Sequence, residues 1–67
     1  MQLTINGDAR SFEMPLTIAA LLDRLSLKQD RVAIEYNQIL LPRTEWGVTS
    51  LAEGDSLEIV QFVGGGR

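Results

Sequence analysis

Leu57-Glu58-Ile59-Val60-Gln61-Phe62-Val63-Gly64-Gly65-Gly66-Arg67 decides how this sequence is read. A β-branched, apolar strand pattern runs straight into three glycines. Glycine loses more conformational freedom on ordering than any other residue, so three in a row work against a fixed fold. They permit close approach instead, because a backbone without Cβ atoms enters a slot that rejects other residues. At ~3.3–3.6 Å per extended residue, Gly64 to Gly66 reach roughly 10 Å past the strand. The pattern predicts a folded body over 1–63 and a flexible glycine-rich tail over 64–67, with the tail as the part that reacts.

Working back from the strand, its side chains do not alternate cleanly. Leu57, Ile59 and Gln61 are expected on the core face, and Glu58, Val60 and Phe62 on the other. With one helix to cover the sheet, the second face is left partly open, and Val60, Phe62 and Val63 become a candidate docking patch at the base of the tail. The bland alternatives are a covering loop or scattered surface residues. For the glycines, the bland alternative is a disordered terminus with no task.

The rest of the chain supplies the body. Gln2 to Asn6 alternates polar and apolar, which predicts a half-buried strand with Leu3 and Ile5 inward. Asn6-Gly7 is a strong hairpin signal because both residues tolerate positive φ. A return strand over Arg10 to Met14 follows, with Phe12 and Met14 expected inward, and Pro15 stops it. Thr17 is the expected N-cap of a helix. Ile18, Leu21, Leu22 and Leu25 recur as one apolar stripe, whose burial contributes roughly 6–12 kcal/mol gross, an upper bound since unfolded chains already bury some surface. Val32, Ile34 and Tyr36 form the inward face of another strand. Asn37-Gln38 reads as a turn, and Ile39-Leu40-Leu41, closed by Pro42, reads as a short edge strand. Trp46 anchors an irregular segment, and Glu53-Gly54-Asp55 is a turn. The expected product is an α+β fold, a mixed sheet with one helix on one face and the last strand beside the first.

Composition narrows the function. The chain has 67 residues, no cysteine and no histidine. The usual metal ligands, the neutral-pH base and the thiol nucleophile are thus missing. Nine acids against six bases give a net charge of −3 with no basic stripe, which argues against nucleic-acid binding. No apolar run approaches the ~20 residues of a membrane span, and a cytoplasmic protein is expected. The carboxylates near Gly7 and Gly54 lack the ligand number of a calcium loop and read as plain turns. Pro42-Arg43 is either a docking feature or a strand stop followed by a solvated charge.

Taken together, the ββαββ order with a last strand ending in glycines resembles the β-grasp, ubiquitin-like fold, with four to five strands packed on one helix. More narrowly the chain resembles the small sulfur carriers of thiamine biosynthesis, the ThiS family. Met1 to Gly7, Thr17 to Leu22, Val32 to Glu35 with Asn37, Ile39 to Arg43 with Trp46, Glu53 to Asp55 and Val60 to Gly66 carry the likeness. The resemblance implies a protein co-substrate rather than an enzyme, with no bound cofactor. It implies that an E1-type, ThiF-like adenylyltransferase uses ATP to activate Gly66, that Gly64 and Gly65 thread into that partner, and that a cysteine-derived persulfide supplies sulfur. The resulting thiocarboxylate is then expected to serve a ThiG-type thiazole synthase. Arg67 departs from the family's Gly-Gly ending, and its removal is expected to expose Gly66. Two alternatives remain at this stage: a ubiquitin-like modifier or binding module, and the sulfur carrier of molybdopterin synthesis.

Overall fold

The first hairpin forms because Asn6 and Gly7 both adopt left-handed backbone, with φ of 52° and 85°. Strand β1 (Gln2–Ile5) therefore returns directly as β2 (Asp8–Ser11), with Ile5 opposite Asp8 and Gln2 opposite Ser11. A computed structural model describes residues 1–62. In it the return strand ends earlier than the alternation predicts. The Phe12 amide donates to the Met1 carbonyl at 2.8 Å, and from there the chain leaves the sheet toward Pro15, which has no N–H to add to a ladder. Phe12 is half-buried as expected, but Met14 is 62% exposed rather than inward.

Helix α1 (Ile18–Arg24) starts as its sequence predicts, with the Thr17 hydroxyl accepting from the Ala20 amide at 3.1 Å. An α-helix leaves its first four amides without internal partners. Here Ile18 donates to the Thr49 carbonyl and Ala19 to that of Trp46, while Ala20 donates to the Thr17 hydroxyl. The irregular segment thus satisfies the helix start that it wraps. At the other end, Ser26 takes φ 59°, and the Leu27 and Ser26 amides donate to the Leu22 and Asp23 carbonyls. This is a Schellman ending, in which glycine is the usual left-handed residue.

A 3-10 turn (Gln29–Arg31) leads to β3 (Val32–Tyr36), which returns as the two-residue β4 (Ile39–Leu40). Asn37 and Gln38 both take positive φ between them, without glycine. A second 3-10 turn (Arg43–Glu45) places Trp46 in the core at 3% exposure, its indole N–H donating to the Leu41 carbonyl at 2.9 Å. Strand β5 (Ser56–Gln61) completes one sheet in the order β2-β1-β5-β3-β4. It runs parallel to β1 and antiparallel to β3, so the sheet is mixed with the last strand beside the first, as the element order predicts. Leu3, Ile18, Leu21, Leu22, Ile34 and Leu57 are completely buried between sheet and helix. At roughly 1.5–3 kcal/mol per large apolar side chain they are the main source of stability. Among the described residues no helix is long and apolar enough to cross a membrane.

Candidate functional site

The site is built around β5, the strand that leads to the glycine run. Leu57 and Ile59 are buried and Glu58, Val60 and Phe62 point away from the core. Val60 is 58% and Phe62 56% exposed, so both candidate docking residues are solvent-accessible. Gln61 departs from expectation. It shares the inward face with Ile59, yet it is exposed and lines a groove with Arg24 and Leu27, where the seven-residue helix has already ended. Val63, Gly64, Gly65, Gly66 and Arg67 lie outside the described residues, as does the expected boundary between body and tail.

Hydrogen bonds hold β5 at three levels. At its end, the Phe62 amide donates to the Arg31 carbonyl at 2.7 Å. In its middle, Asn6 acts as a one-residue extension of β1. Its side-chain oxygen accepts from the Ile59 amide at 2.6 Å and its side-chain amide donates to the Ile59 carbonyl at 3.1 Å. At its start, Asp55 accepts from the Tyr36 hydroxyl at 2.7 Å, from the Ala52 amide at 2.8 Å and from the Asn37 side-chain amide at 3.2 Å. The Asn37 side-chain oxygen in turn accepts from the Ser56 amide at 2.8 Å.

The electrostatics of this cluster follow from those bonds. Burial pushes the Asp55 carboxyl up, but the donors Tyr36, Ala52 and Asn37 outweigh it and hold the group below its ordinary value. The Tyr36 phenol is raised because its hydrogen bond to Asp55, its burial and the nearby negative charge all favour the neutral form. In the sequence Asn6 and Asp55 read as plain turn residues. Their tertiary roles leave no local signature, since their partners lie up to 53 residues away.

Beside Phe62 runs a groove of about 330 Å³, walled by Val32, Ile34, Leu41, Pro42 and Trp46 and flanked by the exposed Arg43. The structure therefore joins the Pro42-Arg43 step to Phe62. Val60 does not line that groove but lies opposite Ala33, which does. Together these features leave apolar side chains exposed at the end of β5, just before the glycine run in the sequence. Among the described residues no group of acidic side chains is placed to hold a metal ion.

Comparison with known proteins gives that arrangement a family. The ThiS family model matches residues 3–66, which includes the glycine run. The chain belongs to the ThiS family. A solved ThiS-family neighbour, a thiamine biosynthesis protein (ThiS) from Geobacter metallireducens, superposes with a TM-score of 0.82 at 33% identity, covering 98% of this chain and 100% of that one. The sulfur carrier protein ThiS of Escherichia coli is 30% identical over 66 residues, covering 98% of this chain and 100% of that protein. A thiazole synthase from Paramagnetospirillum magneticum is 41% identical over 66 residues. The ThiS-like chain covers only 20% of that thiazole synthase's length.

Proposed function

We propose that this chain is a sulfur carrier for thiazole formation in thiamine biosynthesis. The observation that carries the reading is the family match across residues 3–66, because it takes in both the sheet that anchors β5 and the glycines that follow. Gly66 is the residue activated, after removal of Arg67. A free carboxylate is a poor electrophile, so a ThiF-like adenylyltransferase first joins it to the AMP of ATP and releases pyrophosphate. The terminal sulfur of a cysteine-derived persulfide then attacks the acyl carbon and displaces AMP. Cleavage of the persulfide S–S bond by a thiol leaves a thiocarboxylate on Gly66. A ThiG-type thiazole synthase takes that sulfur, a partner suggested by the ThiS-like stretch within the P. magneticum thiazole synthase.

In this scheme the body positions and the glycines enter. Val60 and Phe62, with Val63, dock on the partner while Gly64 and Gly65 pass through a channel too narrow for side chains. The test is ATP–pyrophosphate exchange with a ThiF-like adenylyltransferase, comparing chains ending at Gly66 and at Arg67. The Gly66 form is expected to be adenylated and the Arg67 form not. A Gly65→Ala change should reduce exchange by about tenfold, the effect of forcing one methyl into a tight slot, with unchanged thermal unfolding. Equal adenylation of the two chain ends would refute the assignment of Gly66. Failure of both would refute the carrier reading.

A further inference from the structure

Strand β5 outruns the strand beside it. Its pairing with β1 ends at Leu57 opposite Ile5, whereas its pairing with β3 goes on to Gln61 opposite Val32. At ~3.3 Å per residue, β5 continues roughly 13 Å past the last β1 pair. The helix does not cover that end either, since Gln61 is exposed. Asn6 fills the gap. Its backbone amide donates to the Leu57 carbonyl at 2.9 Å. Its side chain then continues the ladder by bonding both the amide and the carbonyl of Ile59. Among the described residues this is the furthest hydrogen bond along β5 from the β1 side.

Asparagine meets both demands of the position. The turn needs positive φ, here 52°, which asparagine, aspartate and glycine tolerate well. The Ile59 backbone needs a donor and an acceptor side by side. A short carboxamide supplies both, an ionised carboxylate supplies no donor, and glycine supplies neither.

We propose that Asn6 is a positioning residue for the activation of Gly66. By bonding both backbone polar groups of Ile59 it fixes the end of β5, and that fixed end aims the glycine run at the adenylyltransferase. The inference rests on the proposed carrier function. A reacting group misplaced by about an ångström loses turnover even where binding is intact. The carrier is itself the substrate, so two kinds of damage separate. Loss of folded carrier lowers the concentration of competent substrate, which raises the apparent KM and keeps kcat at saturation. Loss of aim lowers kcat.

The experiment uses chains ending at Gly66, in ATP–pyrophosphate exchange with a ThiF-like adenylyltransferase at varied carrier concentration. Asn6→Gly keeps the left-handed backbone and removes both side-chain bonds. Asn6→Asp keeps the shape and sets a carboxylate oxygen against the Ile59 carbonyl. Thr17→Ala is the control, because it removes the helix cap, a comparable loss of stability away from β5. Both Asn6 variants should lose about tenfold in kcat, with KM within about twofold of the parent. Their Ile59 amide should exchange faster than the parent's while Ile34 is unchanged. Thr17→Ala should keep the parent's kcat. If the parent is adenylated and the Asn6 variants keep its kcat, differ from it only in KM, or lose no more kcat than Thr17→Ala, this inference is overturned and the carrier function stands. A parent that is not adenylated overturns the carrier function and this inference with it.

Discussion

Replacing Asp55 with Asn tests how β5 is held at its start. The carboxylate accepts from Tyr36, Ala52 and Asn37. Asparagine has a single acceptor oxygen, which can keep the side shared by Tyr36 and Ala52. Its amide then faces the Asn37 amide, whose own oxygen is already taken by Ser56. One hydrogen bond is lost, a donor is set against a donor, and two remaining bonds lose their charge assistance. Charged hydrogen bonds contribute roughly 1.5–3 kcal/mol and neutral ones roughly 0.5–1.5. With a discount for partial exposure, the change should cost about 1–2 kcal/mol at neutral pH. Total stability for a domain of this size is only about 3–10 kcal/mol, so the loss is easily measured by urea unfolding followed through Trp46 fluorescence.

The pH dependence gives the sharper signature. The folded Asp55 carboxyl lies below its ordinary value. Its contribution is therefore complete above the unfolded carboxyl pKa near 4 and is lost as pH falls through the folded value. The parent should weaken on acidification through this range and Asp55→Asn should lack that component of the slope. At the alkaline end the sign is opposite. The raised Tyr36 phenol gives a contribution present below its unfolded pKa near 10 and lost as pH rises through the folded value. Tyr36→Phe should remove that component, and its double-mutant cycle with Asp55→Asn should show coupling of about 1 kcal/mol. Equal stability of Asp55→Asn and the parent, with identical acid slopes, would refute the clamp.

Two further outcomes follow from backbone geometry. Ser26→Gly should stabilise the chain by up to about 1 kcal/mol in the same urea assay, since Ser26 holds the left-handed helix ending at φ 59° that glycine adopts without a Cβ penalty. Asn6→Ala should cost about 2 kcal/mol, from two lost bonds to Ile59 and an alanine forced into positive φ, with faster amide exchange at Ile59 than at Ile34 as its local mark.

The parts of the fold visible in the sequence are those governed by neighbours. Asn6-Gly7 announces a left-handed turn because a short polar side chain and glycine tolerate that backbone, and Asn37-Gln38 reads as a turn without announcing its hand. Pro42 ends an edge strand because it cannot donate to a ladder. Thr17 and the stripe behind it state a helix and its buried side. Alternation misleads where it outruns its cover. Met14 continues the alternation of β2 past the end of the ladder, and Gln61 continues that of β5 past the end of the helix. The exposure of Val60 and Phe62 was legible because a single helix cannot cover both faces of a sheet. The opposition of Glu35 on β3 to Glu58 on β5 was not, because it depends on the register between strands more than twenty residues apart. That register is set by core packing and by the Asn6 and Asp55 bonds.

The two faces of the sheet obey opposite rules, and β5 lies between them. Inward, Leu57 and Ile59 are buried against β1, β3 and the helix, and every level of the strand is hydrogen-bonded to a neighbour. Outward, Glu58, Val60 and Phe62 are left to solvent. A partner that engages the outer face meets side chains already fixed in position, so little ordering entropy opposes docking. On the proposed carrier function, the same docking event would determine how far Gly66 enters, given roughly 10 Å of reach for three extended residues. Loosening the Asp55 or Asn6 bonds should therefore weaken adenylation even where the partner touches neither residue.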